Sequence, residues 1–141
     1  MIIKQLSVFL EDKSGRLTEL TRILAENDIN ITALSLAETA DYGIVRMVVG
    51  RPDLAKEVLE GAGFSVGLTD VVCLRMPDKP GGLYSALRIL AENNVNIDYM
   101  YAFSNNGVAL AVIRAADIDQ VIDVLQQNKM QLISQSEIYQ I

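Results

Sequence analysis

Two short stretches carry residue types that could hold a small polar molecule. Asp12-Lys13-Ser14-Gly15 and Asp78-Lys79-Pro80-Gly81 each stand between an apolar run and a helical pattern. The glycine lets the backbone approach a ligand closely, and Ser14 or Pro80 suits a helix start. First-turn N–H groups of a helix lack intrahelical acceptors and carry the positive end of its dipole. Such an opening receives a carboxylate without any basic side chain. The neighbouring aspartate can accept a bond from an ammonium, so the pair of features suits a zwitterion such as a free amino acid. Asn30 and Asn96 lie between that helix and the next apolar run, and an amide offers both donor and acceptor. The same residue types also organise turns and helix exits without binding anything, and both readings stand at this point.

These stretches sit inside a duplication. Arg22-Ile23-Leu24-Ala25-Glu26-Asn27 recurs letter for letter as Arg88-Ile89-Leu90-Ala91-Glu92-Asn93. At the same offset Asp12–Leu17 aligns with Asp78–Leu83, and Asp28–Ile31 with Asn94–Ile97. A match this long at one fixed period marks an internal repeat. The 141 residues therefore divide into 1–69 and 70–141. A unit of roughly 70 residues is marginal alone, so the halves are expected to pack on each other or on a second chain.

Composition excludes several classes. Half of the residues are apolar and 21% are charged, which fits a folded chain. The net charge is −6 with no cluster of Lys and Arg, so no nucleic-acid partner is expected. With no histidine, the commonest general base and metal ligand are missing, and no catalytic residue, metal or cofactor is expected. The lone Cys73 lies in an apolar run and reads as a small buried hydrophobe in a reducing compartment. No basic-then-apolar leader opens the chain, and its longest apolar run is too short to span a bilayer. A soluble cytoplasmic protein is expected.

The elements that position the candidate residues follow from periodicity. Ile2–Leu10 reads as a strand, with Leu6, Val8 and Leu10 inward and Phe9 on the second face. A helix follows with the stripe Leu17, Leu20, Thr21 and Leu24, capped by Ser14. Then come a strand at Ile31–Ala37, a hairpin turn at Asp41-Tyr42-Gly43 and a strand at Ile44–Val49. A helix with the stripe Leu54, Val58, Leu59 and Ala62 and a short strand beginning at Phe64–Val66 close the first unit. The second unit repeats the order: strand Val71–Met76, turn Pro77–Gly82, and a helix with Leu83, Ala86, Leu87 and Leu90. Strand Ile97–Phe103, turn Ser104–Gly107 and strand Val108–Ile113 come next. A helix with Ile118, Val121, Ile122 and Leu125 and a strand Met130–Ser136, which the tail can extend, complete it. The order is βαββαβ twice: an α+β fold of two ferredoxin-like units, antiparallel sheets with helices on one face. Repeat register points Tyr99, Tyr101 and Phe103 away from the helices; a different register would make them core.

Asp-x-Pro-Gly-x-Leu entering a helix, followed by Asn-x-Asn-Ile opening a strand, resembles the ACT domain. Pro77–Leu83 and Asn94–Ile97 fit that wording well, and the resemblance covers both halves. It implies a tandem ACT protein that binds a free amino acid between paired units, as a homodimer, and regulates a metabolic enzyme. By position, the loop contacts would be Asp12, Ser14, Gly15, Arg16 and Leu17, with Asp78, Pro80, Gly81, Gly82 and Leu83 in the second copy. The strand-opening contacts would be Asn30, Ile31, Asn96 and Ile97. The first copy departs from the pattern with Ser14 in place of proline and Arg16 beside the glycine. Two other readings stand beside it: an interaction module using the open sheet face, and a phosphatase using Arg16 or Arg46 with Asn30, whose spacing does not argue for it.

Overall fold

The computed structural model describes residues 1–11, 15–38 and 41–139. They fall into two compact units. The amino unit is Lys4–Thr69 together with Ile138 and Tyr139; the carboxyl unit is Asp70–Glu137 together with Met1–Ile3. Each unit thus takes a few residues from the far end of the chain.

The amino unit runs β1 (Ile3–Glu11), α1 (Arg16–Glu26), β2 (Ile31–Glu38), β3 (Tyr42–Val49), α2 (Pro52–Gly61) and the first part of β4 (Ser65–Pro77). Its strand order is β2-β3-β1-β4. Alternation decides which face is dry: Leu6, Val8, Leu10, Val45 and Met47 form one core with Leu20, Ile23 and Leu24 of α1 and Ala55 and Leu59 of α2. Both helices therefore cover one side. Phe9 faces the other way, is half exposed and packs its ring on Tyr42 at 5.5 Å between centroids.

The carboxyl unit begins in β4 and continues through α3 (Gly82–Glu92), β5 (Tyr99–Asn105), β6 (Val108–Arg114), α4 (Ile118–Gln127) and β7 (Gln131–Leu132). A short α5 (Gln135–Ile138) follows. The order β5-β6-β4-β7 repeats that of the amino unit. Val72, Leu74, Met76, Ala111 and Ile113 pack against Ala86 and Leu90 of α3 and Val121 and Leu125 of α4. Tyr101 stands opposite Val112, while Met100, opposite Ile113, packs on the helix-side core. Tyr99, Tyr101 and Phe103 consequently lie on the face away from the helices. Cys73, Leu110 and Val112 on that same face are buried.

Several local expectations are corrected. The short strand at Phe64–Val66 and the strand at Val71–Met76 are one strand, β4, because nothing between them breaks the extended backbone. Tyr42 and Gly43 are not a turn; they pair with Glu11 and Leu10. Likewise Ser104 and Asn105 belong to β5, and the reversal is Asn106-Gly107, with φ of 53° and 79° as a two-residue hairpin of that type requires. The strand expected from Ile97 starts at Tyr99. Ala62 is the exposed C-cap of α2 and not part of its stripe. The last strand shrinks to Gln131–Leu132, because Ser134-Gln135-Ser136-Glu137 is a capping box. There Glu137 N–H donates to Ser134 Oγ (3.3 Å), and Ser134 N–H donates to Glu137 Oε1 (3.4 Å).

Candidate functional site

The helix openings are built alike in both units. Gly15 and Gly81 occupy the N-cap positions with φ of 89° and 88°, a left-handed conformation that a Cβ disfavours. Neither cap supplies a side-chain acceptor. The first intrahelical bonds are Glu19 N–H to Gly15 O (2.9 Å) and Ser85 N–H to Gly81 O (3.0 Å). In α3 the Gly82 N–H is taken by Lys79 O at 3.1 Å, while the amides of Leu83 and Tyr84 have no acceptor among the described residues. α4 shows the contrast: Asp117 accepts from Gln120 N–H at 3.1 Å and closes that helix start. Gly15 holds the cap position of α1; Ser14, expected there, and Asp12 lie outside the described residues.

The two openings differ at the residue after the cap glycine. Gly82 is buried, and a Cβ there would collide with the Pro77 carbonyl oxygen. Lys79 N–H donates to that same carbonyl at 3.0 Å, so the loop is folded tightly onto the end of β4. Arg16 holds the matching place in the amino unit. Its guanidinium lies 3.9 Å above the Phe64 ring centroid and pairs with Glu19 at 3.0 Å. Leu17 is half-buried against the core, whereas Leu83 is 41% exposed, against the expectation that it joins the helix stripe. Asp78 and Pro80 are exposed at the rim.

Asn30 and Asn96 are exposed at the strand openings, each followed by an isoleucine half-buried against its core. Register shows where they stand. Glu11 pairs with Tyr42 and Ile31 with Val49, so the loop after β1 and the opening of β2 flank opposite ends of β3, about 23 Å apart along the strand. In the carboxyl unit Pro77 pairs with Val108 and Tyr99 with Arg114, a span of about 20 Å. Within one unit the helix opening and the strand asparagine are therefore not brought together. The same separation keeps Arg16 away from Asn30.

Other chemistry finds little to work with. Cys73 is fully buried, and loss of hydration pushes its thiol up to about 12, with Arg75 pulling the other way. Among the described residues no group of three His, Cys, Asp or Glu could hold a metal ion, and no helix is long and apolar enough to cross a membrane. Sequence reasoning did not identify Phe64, Tyr84 or the tail residues Ile138 and Tyr139. Phe64 meets Arg16 only through the tertiary fold, but the Ser134–Glu137 spacing was a readable sign of a helix near the tail.

The whole sequence, residues 1–141, matches the family model of the ACT domain pair. The chain belongs to that family, whose domains are regulatory. No curated protein matches it. Among solved structures, protein BT0572 from Bacteroides thetaiotaomicron is 48% identical with a TM-score of 0.96, over 100% of this chain and 98% of that one. The ligand-free regulatory subunit of aspartate kinase from Thermus thermophilus is 18% identical with a TM-score of 0.63, over 89% and 93%. Aspartate kinase from Synechocystis is 19% identical with a TM-score of 0.58, over 95% of this chain and 28% of that one. The last two share the fold.

Proposed function

We propose that this chain is a non-catalytic regulatory protein that binds a small free amino acid at a junction between ACT units. The observation that carries this is the pair of glycine-led helix openings with no side-chain cap among the described residues, whose main-chain amides suit a carboxylate. The asparagines sit at the far end of each unit, so a site using both features needs two units. Homodimerisation would supply further junctions, with 1–69 and 70–141 each contributing one ACT unit. Asp78 and Asn96 would hold the ammonium and Gly81–Leu83 the carboxylate, with Asp12, Gly15 and Asn30 as the first-copy counterparts. The partner would be an enzyme of amino-acid metabolism in the cytoplasm.

A thermal-shift panel of the twenty amino acids tests this. A ligand at a hundredfold excess over its dissociation constant stabilises the folded chain by about 2.7 kcal/mol. A flat panel would reject the reading. The rival, docking of a protein on the open sheet face, predicts a flat panel with a retained partner. It loses ground in the carboxyl unit, where Cys73, Leu110 and Val112 on that face are already buried.

A further inference from the structure

The end of the amino unit that carries Asn30 is crossed by the end of the chain. The Thr32 hydroxyl donates to Ile138 O at 3.4 Å, just after the opening of β2. Thr32 is the extra residue where the β2–β3 ladder shifts between Ile31 and Ala33. The Tyr139 carbonyl oxygen lies over Gly50, at 3.5 Å from where a Cβ would stand. Gly50 N–H in turn donates to Asn30 O at 3.0 Å. The Tyr139 hydroxyl receives the Lys4 N–H at 3.2 Å, at the start of β1. Two tail residues thus touch β2, the exit of β3 and β1, all at the Asn30 end, and Ile138 is fully buried in doing so. Asn30 itself is engaged within the protein.

The matching end of the carboxyl unit is different. The Asp98 N–H donates to Arg114 O at 2.9 Å, and Arg114 reaches Asp70 O at 2.9 Å. Asn96 is exposed and makes no hydrogen bond among the described residues. The residues that the carboxyl unit takes from the other chain end lie elsewhere: the Ile2 carbonyl accepts from Gln135 of α5 at 2.7 Å.

We propose that the tail residues Ile138 and Tyr139 are a built-in strap that occupies the backbone around the Asn30 strand opening, at Thr32 and Gly50, while Asn30 itself stays exposed, leaving the Asn96 opening as the one that takes an amino acid. The proposal rests on the amino-acid reading above and refines it: the two copies of the strand opening have divided their work. Release of the strap would add the Asn30 opening as a second, conditional site.

The test uses the full chain and glycine, alanine, serine, threonine and valine as separate probes, read by calorimetric titration. Asn96→Ala abolishes the binding seen for the wild type, and Asn30→Ala leaves it unchanged. Tyr139→Ala raises the number of bound probe molecules per chain. Loss of binding in Asn30→Ala, or equal loss in both asparagine variants, overturns the strap while keeping the amino-acid reading. If no probe binds the wild type, the amino-acid reading fails, and hydrogen exchange then decides the strap alone. Tyr139→Ala must speed exchange of the Lys4 amide by at least about fivefold, the loss of one hydrogen bond, without changing Asp98. Unchanged exchange at Lys4 refutes it.

Discussion

Gly82→Ala tests the tight loop at the carboxyl helix opening, because two effects of opposite sign compete there. Gly82 is the first residue of α3, and alanine is a better helix former than glycine by about 1 kcal/mol. Propensity alone therefore predicts a gain. Against it stands the Pro77 carbonyl oxygen, with the Pro77 carbonyl carbon 3.5 Å and the ring Cδ 4.0 Å from the new Cβ. This is backbone, not the yielding tip of a side chain. It is pinned by the pairing of Pro77 with Val108 and by the bond from Lys79 N–H. Relief means moving 77–79 outward, which strains packing by about 1–3 kcal/mol and weakens a hydrogen bond worth about 1 kcal/mol. The net expectation is a loss of about 2 kcal/mol, or roughly 6 °C in Tm for a chain of this size. Urea titration followed by circular dichroism reads it. Gly61→Ala is the control: it is exposed at the end of α2 with nothing within 4 Å of a new Cβ, and it should stabilise by up to about 1 kcal/mol. If Gly82→Ala matches or exceeds the wild type, the close approach is not what requires glycine there.

Three further outcomes are expected. Arg16→Ala removes the stacking on Phe64 and the pair with Glu19 and should cost about 1 kcal/mol in urea unfolding; Arg16→Lys should not restore it, since an ammonium lacks the flat fork. Cys73 keeps its proton in the folded state up to about 12, while an unfolded thiol ionises near 9.0. Its stabilising contribution is complete below pH 9 and falls as pH rises toward 12, a slope that Cys73→Ala should flatten in alkaline denaturation. Glu137→Ala opens the capping box of α5 and should cost about 1 kcal/mol, seen as faster hydrogen exchange at Gln135–Ile138.

The repeat, the βαββαβ order and the helix stripes were legible because they rest on local periodicity. Leu20 and Leu24, and Ala86 and Leu90, are buried as their spacing requires. The left-handed glycines were legible as glycines between a strand and a helix. What escaped depends on distant partners. Leu83 has the right spacing for a stripe, yet the loop folded against Pro77 leaves it at the rim. Tyr42 looks like a turn residue until Glu11 offers it a ladder partner. The placement of Asn30 and Gly15 at opposite ends of a sheet follows only from strand register. Nothing local in Ile138 or Tyr139 announces that they belong with residues more than a hundred positions earlier.

The strand Ser65–Pro77 serves as the last strand of one unit and the first of the next. No break separates the two copies within it. Cleaving the gene between Thr69 and Asp70 would leave two fragments, each with a frayed margin and each missing the terminal residues it borrows from the other. Duplication produced two similar halves, and this shared segment is what makes them one indivisible inheritance.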